Sequence, residues 1–324
     1  MKFLFVGDIM LGRLINEELK GKSPEFPWGN TLGIFAQADL RIVNLECALT
    51  DWGEPWSSTP KSFHFRSDAK NISVLKSAGI NMVSVANNHA LDFGYKGLAE
   101  MIKILKENNI VGAGGGKDAA EAAQPAAVEF NGKKIGMIAF TDNEPAWEAG
   151  ITMPGIFFVP SNLEDLRATK LLENISSIRQ EVDYLVVSAH WGPNWGYQPL
   201  PEHISLARAL VDAGADVVFG HSAHVFKGIE LYNGKPIFYS TGDFIDDYAV
   251  SEEERNDETF IFLLDRNGPA RILLYPAIIS NSQVNLATGE RAEEISKKMI
   301  NLCAALNTTA QWDPELKVLV IQII

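Results

Sequence analysis

Apolar residues in this chain fall into short runs that stop abruptly at a polar or charged residue, and five of the runs share one form. Phe3-Leu4-Phe5-Val6-Gly7 leads into Asp8, and Leu40-Arg41-Ile42-Val43-Asn44-Leu45 leads into Glu46. Asn81-Met82-Val83-Ser84-Val85-Ala86 leads into Asn87-Asn88-His89. Asp183-Tyr184-Leu185-Val186-Val187 leads into Ser188-Ala189-His190, and Ala215-Asp216-Val217-Val218-Phe219 into Gly220-His221-Ser222-Ala223-His224. Such β-branched-rich runs predict parallel strands buried on both faces. Tyr95 to Asn109 instead spaces Leu98, Met101, Ile102 and Leu105 as a helix does, and Gly289 to Leu306 reads as a second amphipathic helix. A hairpin is expected over Val128 to Phe140 about Asn131-Gly132, with others turning at Asn233-Gly234 and Asn267-Gly268. Lys317 to Ile324 reads as a last apolar strand. Strands alternating with helices, then hairpins, make this an α/β chain, with 1–250 as the main body and 251–324 adding strands and a helix to the same domain.

Two loops stand out against this pattern. Residues 50–66 combine Trp52, Pro55, Trp56 and Pro60 with small polar residues, which reads as a long ordered loop able to roof a site beside Glu46. Trp191 to Tyr197 is a second aromatic loop, directly after His190. The corner Gly112-Ala113-Gly114-Gly115-Gly116 lacks both GxGxxG and a GK[ST] ending, so a plain turn is expected there instead of a phosphate loop.

Composition narrows the picture. With 324 residues, 46% of them hydrophobic, the chain has ample material for one large core. A net charge of −13 without any basic block argues against nucleic-acid binding as a main task. The two cysteines, Cys47 and Cys303, form neither a disulfide framework nor a CxxC pair and read as small buried hydrophobes. The amino-terminal apolar stretch is too short for a signal peptide and no stretch approaches a membrane span, so a cytoplasmic location without a membrane anchor is expected.

The candidate chemistry sits at the strand ends, where α/β folds place ligands. Four of the six histidines lie there, with Asp8 and Glu46. Carboxylate, amide oxygen and imidazole together suit divalent Mn, Zn, Fe or Co. Two such ions can clamp an oxyanion and generate hydroxide at neutral pH, which makes hydrolysis the natural reaction class. An alternative for Asp8 is the cap of a helix beginning near Leu11.

The ordered set Gly7-Asp8-Ile9-Met10, Asn44-Leu45-Glu46, Asn87-Asn88-His89-Ala90-Leu91-Asp92-Phe93-Gly94, His190-Trp191-Gly192, Gly220-His221-Ser222-Ala223-His224-Val225 and Ser240-Thr241-Gly242-Asp243-Phe244 resembles the bacterial capsule-synthesis CapA (poly-γ-glutamate biosynthesis) family, itself similar in motif order to calcineurin-like metallophosphoesterases. The resemblance implies a four-layer αββα sandwich with mixed sheets and a site holding one or two divalent ions. It implies metal ligation by Asp8, by Glu46 as a bridging carboxylate, by Asn88, His190 and His221 at one ion, and by His224 at the other. It also implies a catalytic role for His89, with Asp8, as the group that protonates a leaving group. Three departures from the phosphoesterase pattern bear on mechanism: Met10 stands where a histidine is usual, Asn44 and Glu46 stand where a bridging Asp would sit, and the last pair is spaced His-x-x-His; Asp243, in addition, stands where the capsule family typically has Asn.

Other residues have competing readings. Arg13 and Arg66 suit bidentate contact with a carboxylate or phosphate, and equally suit surface ion pairs. Trp191 and Trp195 suit packing first and substrate stacking second. Asn87 and Asp92 read as braces of their turn, and His64 and His203 as structural. The expected function is a metal-dependent hydrolase cleaving an amide or ester in an anionic small molecule or polymer. The alternatives are a phosphoesterase and a non-catalytic accessory protein of capsule-polymer synthesis.

Overall fold

Each of the five runs is a strand whose two faces are both buried, and this explains why they read as continuous apolar stretches. The structure, a computed structural model, describes residues 1–323. In the larger sheet Lys2–Ile9 lies between Leu40–Leu45, which is parallel to it, and Glu258–Asp265, which is antiparallel. Met82–Ser84 and Val111–Ala113 continue the parallel side, while Arg271–Ser280 and Val318–Gln322 continue the antiparallel side. The smaller sheet holds Lys133–Thr141, Tyr184–His190, Val217–His221 and Lys235–Phe238 as parallel neighbours, with antiparallel strands at its edges.

Alternate residues of one strand enter different cores. From the first strand, Phe3 and Phe5 join Tyr184, Phe219, Phe238 and Phe262 in a cluster shared by the two sheets. Phe3 stacks on Tyr184 at 4.4 Å between ring centroids. Leu4 and Val6 face the other way, onto Leu98, Met101 and Leu105 of the helix Gly94–Glu107. The smaller sheet does the same with Ile138, Leu185 and Val187, which pack on Leu171 and Ile175 of the helix Leu166–Ile178 and on Leu206 and Leu210 of the helix Pro201–Ala213. The result is a mixed α/β fold in which two sheets share one core and carry helices on their outer faces.

The hairpins fall where the Asn-Gly pairs stand. Asn131 and Gly132, and likewise Asn233 and Gly234, both have positive φ, as a two-residue I′ turn requires. The third joins Glu258–Asp265 to Arg271–Ser280 through Gly268. The helix Gly289–Ala305 inserts Ile295 and Met299 into the inter-sheet core. The last strand is Val318–Gln322, and Ile324 of the expected Lys317 to Ile324 strand lies outside the described residues. The glycine corner is not a plain turn. Val111–Ala113 is an edge strand of the larger sheet and Gly115–Gly116 pairs with Gly155–Ile156, while the missing side chain of Gly116 lets the backbone of Glu121 and Ala122 approach. No helix among the described residues is long and apolar enough to cross a membrane.

The short strand Asp243–Ile245 runs beside Lys2–Ile9, with Asp8 opposite Asp243. Its approach is so close that a Cβ on Gly7 would collide with the Gly242 carbonyl. Gly7→Ala is therefore expected to cost about 3 kcal/mol of unfolding free energy, as backbone-limited overpacking does. Urea unfolding checks it, and an unchanged midpoint contradicts it.

Candidate functional site

The parallel strands of both sheets end at one edge, and their terminal side chains converge there. Asp8, Glu46, His190 and His221 are all essentially inaccessible to solvent. His190 and His221 are register partners on adjacent strands, with their Nδ1 atoms 2.8 Å apart. Across the gap between the sheets, His221 Nδ1 lies 3.7 Å from Asp8 Oδ1, and His190 Nε2 lies 3.9 Å from Glu46 Oε1. Two sets of donor atoms fall within 4.8 Å of one another: Asp8 with His190 and His221, and Asp8 with Glu46 and Asp243. Asp8 is common to both.

A layer of neutral groups holds this cluster in place. Asn44 Nδ2 donates to Asp8 Oδ1 at 2.8 Å, and Asn87 Nδ2 donates in turn to Asn44 Oδ1 and to the Leu45 carbonyl. Ser222, in a left-handed conformation with φ of 102°, aims its N–H at Asp8 Oδ2. Ser188 Oγ meets His221 Nε2 at 2.8 Å, which leaves His221 Nδ1 for the cluster.

Burial sets the protonation of every member. It raises Asp8 to about 7, with Asp243 adding to the rise and the Asn44 donor opposing it. Burial and then the Asp8 charge push Glu46 well above the usual carboxylate range, and burial also raises Asp243. The imidazoles move the other way: burial, then His221, holds His190 well below its ordinary value, and burial takes His221 to about 3. Neutral imidazoles beside crowded carboxylates are the state in which both can donate lone pairs. Glu46 Oε2, Asn88 Oδ1, His190 Nε2 and Asp243 Oδ2 are shielded from solvent and have no hydrogen-bond partner. Buried polar atoms are rarely left so, and all four are donor types that suit a divalent ion.

His89 stands beside this cluster with its own support. Its Nδ1 is 2.6 Å from Asp92 Oδ2, its Nε2 is 3.9 Å from Glu46 Oε1, and its ring stacks on Phe65 at 4.0 Å. Burial lowers its pKa against the pull of Asp92. Asp92 also accepts the Phe65 N–H at 2.6 Å, so one carboxylate orients the imidazole and ties down the 50–66 loop. Lys61 in that loop donates to the Asn88 carbonyl at 2.6 Å and to Glu144 Oε1 at 3.0 Å. The loop thus borders a cavity of about 660 Å³ lined by Arg13, Lys61, Asn88, His89, Trp195, His224 and Tyr248, among others. His224 is held by Asp243 at 3.0 Å.

Asp8, Glu46, His190 and His221 are therefore together, while Asn88, His89 and His224 face the adjoining cavity. Asp8 caps no helix, since Arg13–Glu18 has Gly12 at its N-cap position. Arg13 lines the cavity beside Asp247, with Nε 3.4 Å from that carboxylate. Two expectations are corrected. Trp191 is 1% exposed, donates its indole N–H to the Tyr239 carbonyl and stacks on His203, so it is a core residue out of reach of any substrate. Arg66 is paired with Asp68 and lies over the Phe93 ring, away from the cavity lining. Met10 is buried in the core on the helix side, with its sulfur accepting the Gly12 N–H. Asp243, Asp92, Lys61 and Tyr248 belong to the site without having been picked out as its chemistry. Only Asp243 carried a signal, as a charge in place of an amide.

The family model described as bacterial capsule synthesis protein PGA_cap matches residues 2–248. Two probable polyglutamine synthesis accessory proteins of Mycobacterium tuberculosis are each 32% identical over 244 residues, 72% of this chain and 64% of theirs. The PGA biosynthesis protein CapA of Bacillus subtilis is 30% identical over 274 residues, covering 84% of this chain and 70% of that protein. The capsule biosynthesis protein CapA of Bacillus anthracis is 30% identical over 280 residues, covering 84% and 66%. The chain thus spans less than two thirds of the mycobacterial relatives' length.

The charges predict a pH dependence for metal-free protein. His224 is depressed by burial, but Asp243 and other carboxylates outweigh this and raise it from 6.5 to about 9. A group that binds its proton more tightly when folded gives stability that is complete below about pH 6.5 and lost as pH rises to about 9. Asp8 acts in the same sense, losing stability from its ordinary 3.8 up to about 7. His190 and His221, lowered, act oppositely, but His221 completes its gain by pH 6.5. Lys227, lowered by burial to about 8, opposes the loss above that pH, so stability in a chelator should fall between pH 6.5 and 8. A urea midpoint that holds level or rises over that window contradicts this.

Proposed function

The chain belongs to the bacterial capsule synthesis PGA_cap family, and on that premise we propose that it is a metal-dependent hydrolase linked to capsule-polymer metabolism, cleaving an amide or ester in an anionic substrate. The observation that carries the reading is the set of unpartnered donor atoms on Glu46, Asn88, His190 and Asp243 around Asp8 and His221. Asp8, Glu46, Asp243, His190 and His221 would hold the ion or ions, with Asn88 and His224 at the cavity side. We read the two sheets and their outer helices as the αββα arrangement of metallophosphoesterases, with Mn, Zn or Fe as the fitting ions. A bound divalent ion supplies Lewis acidity and lowers the pKa of water beside it.

The chain's own residues do the rest. Arg13 offers a cation at the cavity wall for an anionic substrate. Asp92 takes the Nδ1 side of His89, which leaves Nε2 above Glu46 to hold or deliver a proton to a leaving group. Phe65 and the 50–66 loop shield that exchange from bulk water. A second reading, a non-catalytic accessory role, is favoured by the similarity to the mycobacterial proteins described as probable polyglutamine synthesis accessory proteins.

His190→Ala and His221→Ala are expected to deplete bound metal in purified protein, measured by elemental analysis; unchanged metal content in both would overturn the ligand assignment. His89→Ala is expected to keep its metal and lose about 10²- to 10⁴-fold in turnover, the usual worth of a positioned proton donor. A panel of phosphoesters and γ-glutamyl amides reads this out, and absence of turnover in the parent on all of them favours the accessory role.

A further inference from the structure

Tyr248 follows the short strand Asp243–Ile245, and its backbone is fixed by a 2.7 Å bond from its N–H to Asp246 Oδ1. Its ring forms part of the cavity wall, edge-on to His224 at 4.9 Å and tilted against Phe65 at 5.7 Å. Those contacts hold the ring by packing alone. The hydroxyl, in contrast, is shielded from solvent and meets no partner in the protein. A buried hydroxyl left unpaired is costly, on the order of 1–3 kcal/mol, and phenols at such positions normally find an acceptor. The unpartnered oxygens of Glu46 and Asp243 belong to the same carboxylate cluster, and the Glu46, Asp243, Asp246 and Asp8 charges all act on the phenol. None of them accepts a hydrogen bond from the hydroxyl.

We propose that Tyr248 is a catalytic residue whose hydroxyl donates a hydrogen bond to an oxygen of the oxyanion bound above Glu46 and Asp243. The proposal rests on the metal-site reading, because carboxylates alone would repel an anion. A phenol suits this task better than a cation would. It adds a donor without a positive charge that would compete with the metal for the carboxylates, and its packing is retained by phenylalanine.

The test uses the full chain loaded with Mn²⁺ and inorganic phosphate as the oxyanion probe. Calorimetry measures Mn²⁺ affinity without phosphate, and then phosphate affinity of the Mn²⁺-loaded protein. Tyr248→Phe should leave Mn²⁺ affinity within about twofold of the parent and weaken phosphate about tenfold or more, as expected for one hydrogen bond to a charged acceptor. Thermal unfolding of the variant verifies that it is folded, and Tyr248→Leu, which removes the same donor in a different shape, should weaken phosphate at least as much. Equal phosphate affinity in parent and Tyr248→Phe overturns the proposal, as does a loaded parent that binds no phosphate. Loss of Mn²⁺ affinity in Tyr248→Phe also overturns it, since the phenol would then be a metal donor. Failure of the parent to bind Mn²⁺ at all is a different result and removes the metal-site reading itself.

Discussion

Three carboxylates, on Asp8, Glu46 and Asp243, have oxygens within 4.8 Å of one another and are shut off from water. Like charges so placed cannot all ionise without compensation. The neighbouring neutral groups, Asn44 and the Ser222 N–H, soften the repulsion without cancelling it. The nearby imidazoles are driven neutral by the same burial, so they cannot cancel it either. The fold thus concentrates negative charge at a point where only His224, beside Asp243, supplies a protonated ring from within. A divalent ion is the compensation that fits both the charge and the neutral lone pairs.

That concentration depends on the way the two sheets are joined. Residues from parallel strands of separate sheets face each other only because the sheets share one core and end at one edge. The strand Asp243–Ile245 closes the arrangement by lying against the first strand, at a spacing that the missing side chain of Gly7 permits. The 50–66 loop is fastened on the other side by Asp92 and Lys61, so the orientation of His89 and the position of the loop are one structural fact. Roof and His89 should therefore respond together to any change at Asp92.

Most of this was legible in the sequence for a physical reason. A parallel strand buried on both faces has no polar face to interrupt it, so its end is marked sharply by the first buried polar side chain, as at Asp8, Glu46, His190 and His221. The hairpins at Asn131-Gly132 and Asn233-Gly234 were equally readable, since two successive positive φ values leave few alternatives. What was hidden depends on approach between distant segments. The division of five similar strands between two sheets leaves no trace in any one strand. Asp243 arrives on a three-residue strand too short to carry a period, and Tyr248 follows just beyond its end. Trp191 and Trp195 look alike in one loop, yet the first is core and the second lines the cavity, because only tertiary packing separates them. Lys61 sits among Pro and Ser residues and gains its meaning from Asn88 and Glu144, 27 and 83 positions away.

The central claim is that the carboxylate and imidazole side chains at the joint edge of the sheets form a metal pocket. Anomalous diffraction from crystals equilibrated with Mn²⁺ at neutral pH tests it most directly. The account predicts a manganese peak in contact with Asp8 and with His190 or His221, and an oxygen of Glu46 or Asp243 drawn toward it. A fully occupied manganese site elsewhere on the chain, with these side chains left without any peak among them, would contradict it.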